Sequence, residues 1–139
     1  MSQIIKPALE LFVDKTFLNR VYHGPDPARF EALLLRCLDD PHAFVCSTSQ
    51  NSIGLAVLHP NQPELGNVAV GHYLFGDWKI LKRCMAWAVE KNADVYVYPI
   101  NYSNPQQEQL RNVLIKREGF SPYQEILIKR LNHDDGRRN

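Results

Sequence analysis

The sequence predicts an α/β domain in which a mixed sheet carries helices on both faces. Three observations lead there. Three β-like runs follow one another between Ala43 and Phe75, separated by turn residues. A helix with a wide apolar band, residues 78–91, then leads into a further β run at 94–100. A last helix, 104–117, exits through Gly119 and Phe120 towards a final β run at 123–131. A meander followed by alternating helices and strands has to bury its apolar faces between layers, which argues for helices on both sides of one sheet.

Each element has its own local cause. Residues 3–6 read as a short first strand, and 9–22 as a helix with an uneven apolar stripe, broken by His23-Gly24-Pro25. Asp26 caps and Pro27 opens a helix whose Phe30, Leu33, Leu34, Cys37 and Leu38 share a face. Asp39-Asp40-Pro41 stops it, because a residue before proline is driven out of the α region. Residues 43–48 and 53–59 flank Ser49-Gln50-Asn51-Ser52 as a hairpin would. Residues 60–66 hold two prolines and read as a loop, and 67–75 alternate as a third strand that Gly76-Asp77 ends. In the next helix Trp78, Leu81, Met85 and Ala88 share a face that Cys84 and Trp87 widen, as suits a helix lying on a sheet. In the 94–100 run, Val95 and Val97 interleave with tyrosines, as in a buried strand.

Asn104 is placed to cap the last helix, Pro105 suits its first position, and Gln107 sits where a capping-box glutamine reaches back. Leu110, Val113 and Leu114 repeat on one face, Gly119 supplies a left-handed exit and Phe120 packs the turn. The predicted order is β-α-α-β-β-β-α-β-α-β, in a single domain over 1–132 with a flexible polar tail at 133–139.

Composition narrows the function classes. The chain has 139 residues, 45% hydrophobic and 22% charged, enough for one domain with a real core. A net charge of +1 gives no support to a nucleic-acid binder driven by global charge. The three cysteines, Cys37, Cys46 and Cys84, are widely spaced, which argues against a disulfide framework and a zinc site and for reduced, buried thiols. The five histidines show no metal-ligand spacing. No apolar run reaches membrane-spanning length and no signal-peptide pattern opens the chain, so a cytoplasmic protein without a membrane partner is expected. The chain also lacks a Gly-x-Ser-x-Gly elbow, a phosphate-binding Gly-Lys-Ser/Thr loop and a Gly-x-Gly-x-x-Gly turn.

From Ile4 to Leu131 the element order, with its Gly119-Phe120 helix exit before a last strand, resembles the GNAT acyl-CoA N-acyltransferases. The resemblance implies a mixed, mostly antiparallel sheet flanked by about four helices. It implies acetyl-CoA or another acyl-CoA as cosubstrate, an amine acceptor and no metal. In that family the third meander strand ends in a splayed edge, and the next loop offers backbone N–H groups at a helix N-terminus to the pyrophosphate. The residues that would contact the cofactor are Tyr73, Phe75, Gly76, Trp78, Lys79, Arg83 and Asn104.

Two departures stand against this. Where the family's loop carries Arg or Gln and then two glycines, only Gly76 is present, and Asp77 reads as a helix cap that repels phosphate. Lys79, Lys82 and Arg83 either offset that repulsion or form a solvated helix face. Many members also place a tyrosine four residues before the exit glycine as general acid, where this chain has Ile115, which has no proton to give. Tyr102 is the replacement candidate for the acid. His72, with an ordinary pKa near 6.5, is the candidate general base, and Glu64 is a second one.

Two main functions follow, beside a lesser third reading of a small-ligand binder that keeps the cleft without turnover. One is acyl transfer from acyl-CoA to an amine. The other is a catalytically degenerate domain of the same shape that binds a protein partner; a homodimer is compatible with either. Small motif-poor proteins of this type in tailed bacteriophages, some virion-associated, are similar.

Overall fold

The computed structural model describes residues 14–102 and 104–131. The chain divides into two compact units, Met1–Pro99 and Ile100–Asn139. In the first, the order is α1 (Lys15–Val21), α2 (Pro27–Asp39), β1 (Ala43–Cys46), β2 (Ile53–Gln62), β3 (Gly66–Phe75), α3 (Lys79–Glu90) and β4 (Val95–Val97). The expected first strand at 3–6, the first turn of the 9–22 helix and the tail at 133–139 lie outside the described residues.

Local chemistry sets the helix starts. The Thr16 N–H donates to the Asp14 carboxylate at 2.9 Å, and the Arg29 N–H donates to Asp26 at 3.1 Å, with Pro27 opening α2 as expected. The strands stand in the order β1-β2-β3-β4. The first two pairings are antiparallel and β3–β4 is parallel. The β2–β3 hairpin is longer than the sequence suggests, because its strands zip through Pro60 to Gln62. Positive φ at Asn61 and Gly66 turns the chain there, and the Asn61 N–H donates to the Asn67 side-chain oxygen at 2.9 Å.

Both faces of the sheet are covered. On one, Phe17, Leu18 and Val21 of α1 and Phe30, Leu34 and Cys37 of α2 pack with Val45, Ile53 and Leu55. On the other, Ile80, Cys84, Trp87 and Ala88 of α3 pack with Phe44, Cys46, Ala56, Leu58 and Ala69. The Trp87 ring stacks on Phe44 with centroids 5.4 Å apart. The alternation along β1 and β2 thus feeds two cores at once, which is why these runs are almost wholly apolar.

The second unit is a capped helix, α4 (Pro105–Glu118), and the chain beyond it. Asn104 accepts the Gln106 N–H at 3.0 Å and Pro105 opens the helix, as expected. Gln107 reaches back past the cap to accept the Asn101 N–H at 3.4 Å. Gly119 adopts φ 78° and the Phe120 N–H donates to the Leu114 carbonyl at 3.1 Å, the exit that its sequence demands. The final strand is a correction: residues 121–131 carry no strand. Ile126, Leu127, Ile128 and Leu131 are exposed. An apolar run suits a strand, but only a paired edge makes one, and periodicity does not supply the partner.

Gly54 sets the approach of α3 to the sheet. A Cβ at that position would run into the Ile80 side chain and come within 3.1 Å of the Cys84 sulfur. Gly54→Ala should therefore overpack the α3 face and lower stability by about 1–3 kcal/mol. Urea denaturation checks this, and an unchanged midpoint would mean that α3 does not press on β2.

Candidate functional site

The parallel pairing of β3 with β4 is short and closed at one end only. At its start the Asn67 N–H donates to Asp94 Oδ2 at 2.8 Å, the Asp94 N–H donates to the Asn67 carbonyl at 2.7 Å, and the Asn67 side-chain amide donates to the Asn92 carbonyl at 3.1 Å. The register then runs Val68↔Val95, Ala69↔Tyr96 and Val70↔Val97. There β4 stops, while β3 continues to Phe75. Among the described residues, β3 beyond Val70 has a ladder on its β2 side only.

A β-bulge falls at the same place. Ala56 pairs with Gly71 and Leu55 pairs with Tyr73, so His72 is the extra residue. The consequence is a change of face. Tyr73 and Phe75, which strict alternation from Gly71 would put on the α3 face, pack instead with the α1–α2 cluster. The Tyr73 hydroxyl donates to the Val21 carbonyl at 2.6 Å, and its ring lies 5.0 Å from Phe30. Burial pushes the Tyr73 phenol up to about 12, against a hydrogen bond from the His23 backbone that lowers it. Phe75 packs on the His23 ring at 5.2 Å. The side chains of Tyr73 and Phe75 are thus committed to the core, and this strand can meet a ligand there chiefly through its backbone.

On the α3 face, tyrosines lie where the β3–β4 ladder ends. A Cβ on Gly71 would lie 2.7 Å from the Tyr96 hydroxyl and 2.8 Å from Tyr98 Cδ1, so both rings lie against a bare Cα. The sequence reading took Tyr96 and Tyr98 as alternating strand residues and did not single out Gly71, although a glycine inside a strand is a signal of a bulge or of close approach.

Past Phe75, Gly76 takes φ 97° with the Asn51 carbonyl against it, a position that a side chain could not share. Trp78, in the α region, takes the N-cap position of α3 with no side-chain bond of its own, and Asp77 before it supplies the capping carboxylate that the sequence suggests. Its carboxylate accepts the Lys79 N–H at 3.0 Å and its carbonyl accepts the Ile80 N–H at 2.9 Å. The Thr48 hydroxyl donates to Asp77 Oδ2 at 3.4 Å from the β1–β2 loop, whose own N–H groups at Thr48 and Ser49 converge on the buried Ser52 hydroxyl at 3.0 Å. Two of the amides an incoming phosphate would use are therefore already satisfied. Trp78 and Lys79 are exposed at this turn; Arg83, one turn further, is half-buried.

The predicted residues separate into three places. His72, Tyr73, Phe75, Gly76, Trp78, Lys79 and Arg83 belong to the bulged end of β3 and the start of α3. Glu64 sits in the hairpin turn before Gly66, at the opposite end of β3, about 20 Å of strand from His72 at roughly 3.3 Å per residue. Tyr102 and Asn104 belong to the second unit, where Tyr102 is exposed and Asn104 spends its side-chain oxygen on the α4 cap. Among the described residues no group of three or more metal-ligating side chains comes together, and no helix is long and apolar enough to cross a membrane.

No protein-family model and no curated protein matches the sequence. Solved structures do match the fold. An aminoglycoside antibiotic 6'-N-acetyltransferase from Acinetobacter haemolyticus superposes with a TM-score of 0.68 at 10% identity, over 94% of this chain and 96% of that one. An aminoglycoside acetyltransferase from an uncultured soil metagenomic sample gives 0.55 at 11% identity, over 95% and 93%. A transcriptional regulator from Bacillus halodurans gives 0.58 at 14% identity, over 79% and 80%. At such identities the likeness is one of fold. The chain has the mixed α/β fold of the GNAT acetyltransferases, as its element order implies. These neighbours add nothing to the bacteriophage resemblance.

His72 is the titrating group at the opening. Its ring lies 6.4 Å from that of His59, and desolvation first, then the His59 charge, hold its pKa below the ordinary 6.5. The side chain as a whole is exposed, so the desolvation is partial. Below about pH 6.5 the unfolded chain binds a proton that the folded chain resists, so His72 lowers stability as pH falls from there through its folded pKa. His72→Gln should flatten the loss of stability below pH 6.5 in denaturation series; an unaltered slope would remove His72 as its source.

Proposed function

We propose that this chain is a GNAT-like N-acyltransferase that moves an acetyl or related acyl group from acyl-CoA to an amine, with the thioester arm lying between β3 and β4. The observation that carries this reading is the parallel ladder that ends at Val70↔Val97 while β3 runs on to Phe75. A strand edge that has no ladder partner among the described residues presents N–H and C=O groups to an extended amide-bearing arm, as added strands are recognised elsewhere. The same N–H groups can polarise the thioester carbonyl, and they cost no reorganisation because the β2 ladder and the bulge already fix them. Catalysis of this kind rests on positioning, which is compatible with a site poor in side-chain motifs.

His72 is the base in this reading. The bulge sets it beside the opening, and its lowered pKa leaves the ring neutral, and so able to take a proton from the amine, at neutral pH. Tyr102 belongs to the second unit and drops out of the proposal. Glu64 drops out of the proposal because it stands at the other end of the strand. The cofactor's pyrophosphate would meet the Gly76–Lys79 turn, where Asp77 opposes it and Lys79 and Lys82 favour it. The turn fits a phosphate poorly, so the chain is expected to hold acyl-CoA more weakly than a glycine-rich loop would.

A thermal-shift titration with acetyl-CoA tests the reading. Ligand at about 100 times Kd should raise stability by about 2.7 kcal/mol. Asp77→Gly should strengthen the binding, because it removes the carboxylate that competes for the Lys79 amide. No shift at millimolar acetyl-CoA, in the native chain or in Asp77→Gly, would reject acyl transfer and leave the fold to an interaction role. Weaker binding by Asp77→Gly than by the native chain would reject the assignment of this turn to the phosphates.

A further inference from the structure

Cys46 on β1 and Cys84 on α3 meet across Gly54 on β2. A Cβ on Gly54 would lie 3.1 Å from the Cys84 sulfur and 3.5 Å from the Cys46 sulfur, so both sulfurs fill the space this glycine leaves open. The thiols hydrogen-bond each other, and the Tyr96 hydroxyl of β4 hydrogen-bonds Cys84. Both are free thiols and fully buried. The third cysteine, Cys37, packs in the cluster on the opposite face of the sheet. The β1–β2 hairpin and the later helix α3 thus place two sulfurs, and only two among the described residues, against Gly54.

Two sulfurs that both border the vacant Cβ position of one glycine are placed to reach the S–S bond of about 2.0 Å by side-chain rotation. We propose that Cys46 and Cys84 are an oxidative cross-linking pair that closes to a disulfide between β1 and α3 when the protein meets a peroxide or an azo oxidant. Cys84 is the attacking sulfur. It faces two donors, the Cys46 S–H and the Tyr96 O–H, which hold its pKa below the ordinary thiol value against the effect of burial. Cys46 is held above that value, by its hydrogen bond to Cys84 and then by burial, and so keeps its proton until the second step.

With hydrogen peroxide, the Cys84 sulfur attacks one oxygen and the O–O bond breaks. The other oxygen leaves as water with the Cys84 proton, and a sulfenic acid remains. The Cys46 sulfur then attacks the sulfenic sulfur; the S–S bond forms, the S–O bond breaks, and the hydroxide takes the Cys46 proton and leaves as a second water. Two thiols lose two electrons and the peroxide gains two. Because both sulfurs are buried, oxidant reaches them through local opening of α3 rather than at the surface, so the reaction is slower than at an exposed thiol. The bond ties β1, an edge strand among the described residues, to the helix that follows the Gly76–Asp77 turn. It does not depend on whether the chain transfers acyl groups.

The test uses the intact protein. Native chain is held for hours with millimolar hydrogen peroxide or diamide, then denatured, alkylated with iodoacetamide and weighed. Untreated protein should take up three alkyl groups, one for each thiol. Treated protein should take up one, on Cys37, with a peptide map linking Cys46 to Cys84 and reversal by dithiothreitol. Cys37→Ala should form the same link, and Cys84→Ala should form none. Three alkylated thiols after treatment, a link through Cys37, or a sulfinic or sulfonic Cys84 without a link would each overturn the proposal.

Discussion

The paired hydrogen bonds between Asn67 and Asp94 pin the start of the parallel β3–β4 ladder, and the geometry around the candidate site depends on them. They set the register that places Tyr96 and Tyr98 over Gly71. They also fix which end of the ladder opens. Three residue pairs from the clamp the ladder ends, and at that point β3 carries its bulge. One end of the ladder is held by side chains and the other is freed by a backbone irregularity.

The bulge couples the two cores to the site. By inserting His72 it turns Tyr73 and Phe75 towards α1 and α2, where the Tyr73 hydroxyl closes on Val21 and Phe75 closes on His23. The aromatic packing in turn holds the bulged strand end in place. A stretch that the family resemblance would treat as a row of cofactor-contacting side chains is thus a row of core side chains with its backbone edge left over. The chemistry available there is that of amides, imidazoles and the tyrosines on and just past β4. The turn beyond it is stabilised by a carboxylate in the position where a phosphate would be welcome, so helix stability and anion binding compete at Asp77.

Much of this was legible from residues alone. Asp26-Pro27, Asn104-Pro105 and Gly119-Phe120 each carry a local capping chemistry that tertiary structure had no reason to override, and those helices start and stop where that chemistry says. Asp77 was readable as a cap for the same reason. The face of Tyr73 was not, because a one-residue bulge inverts every side chain that follows it and leaves only Gly71 as a trace. Glu64 shows a similar limit: a carboxylate near His72 in sequence is far from it along an extended strand. Residues 123–131 have a strand's composition and no strand, since pairing depends on an edge that composition does not encode. The meeting of Cys46 with Cys84 was also hidden, because spacing along the chain carries no record of what Gly54 lets approach.

The central claim is that the β3 edge beyond Val70 receives the acyl-CoA arm. Backbone amide NMR of the native chain titrated with acetyl-CoA tests it most directly. The account predicts that the amides of Gly71 to Phe75 and of Tyr98 shift together and saturably, while those of Asn67 to Val70 inside the ladder move little. Saturable shifts confined to other parts of the chain, or none at millimolar ligand, would contradict it.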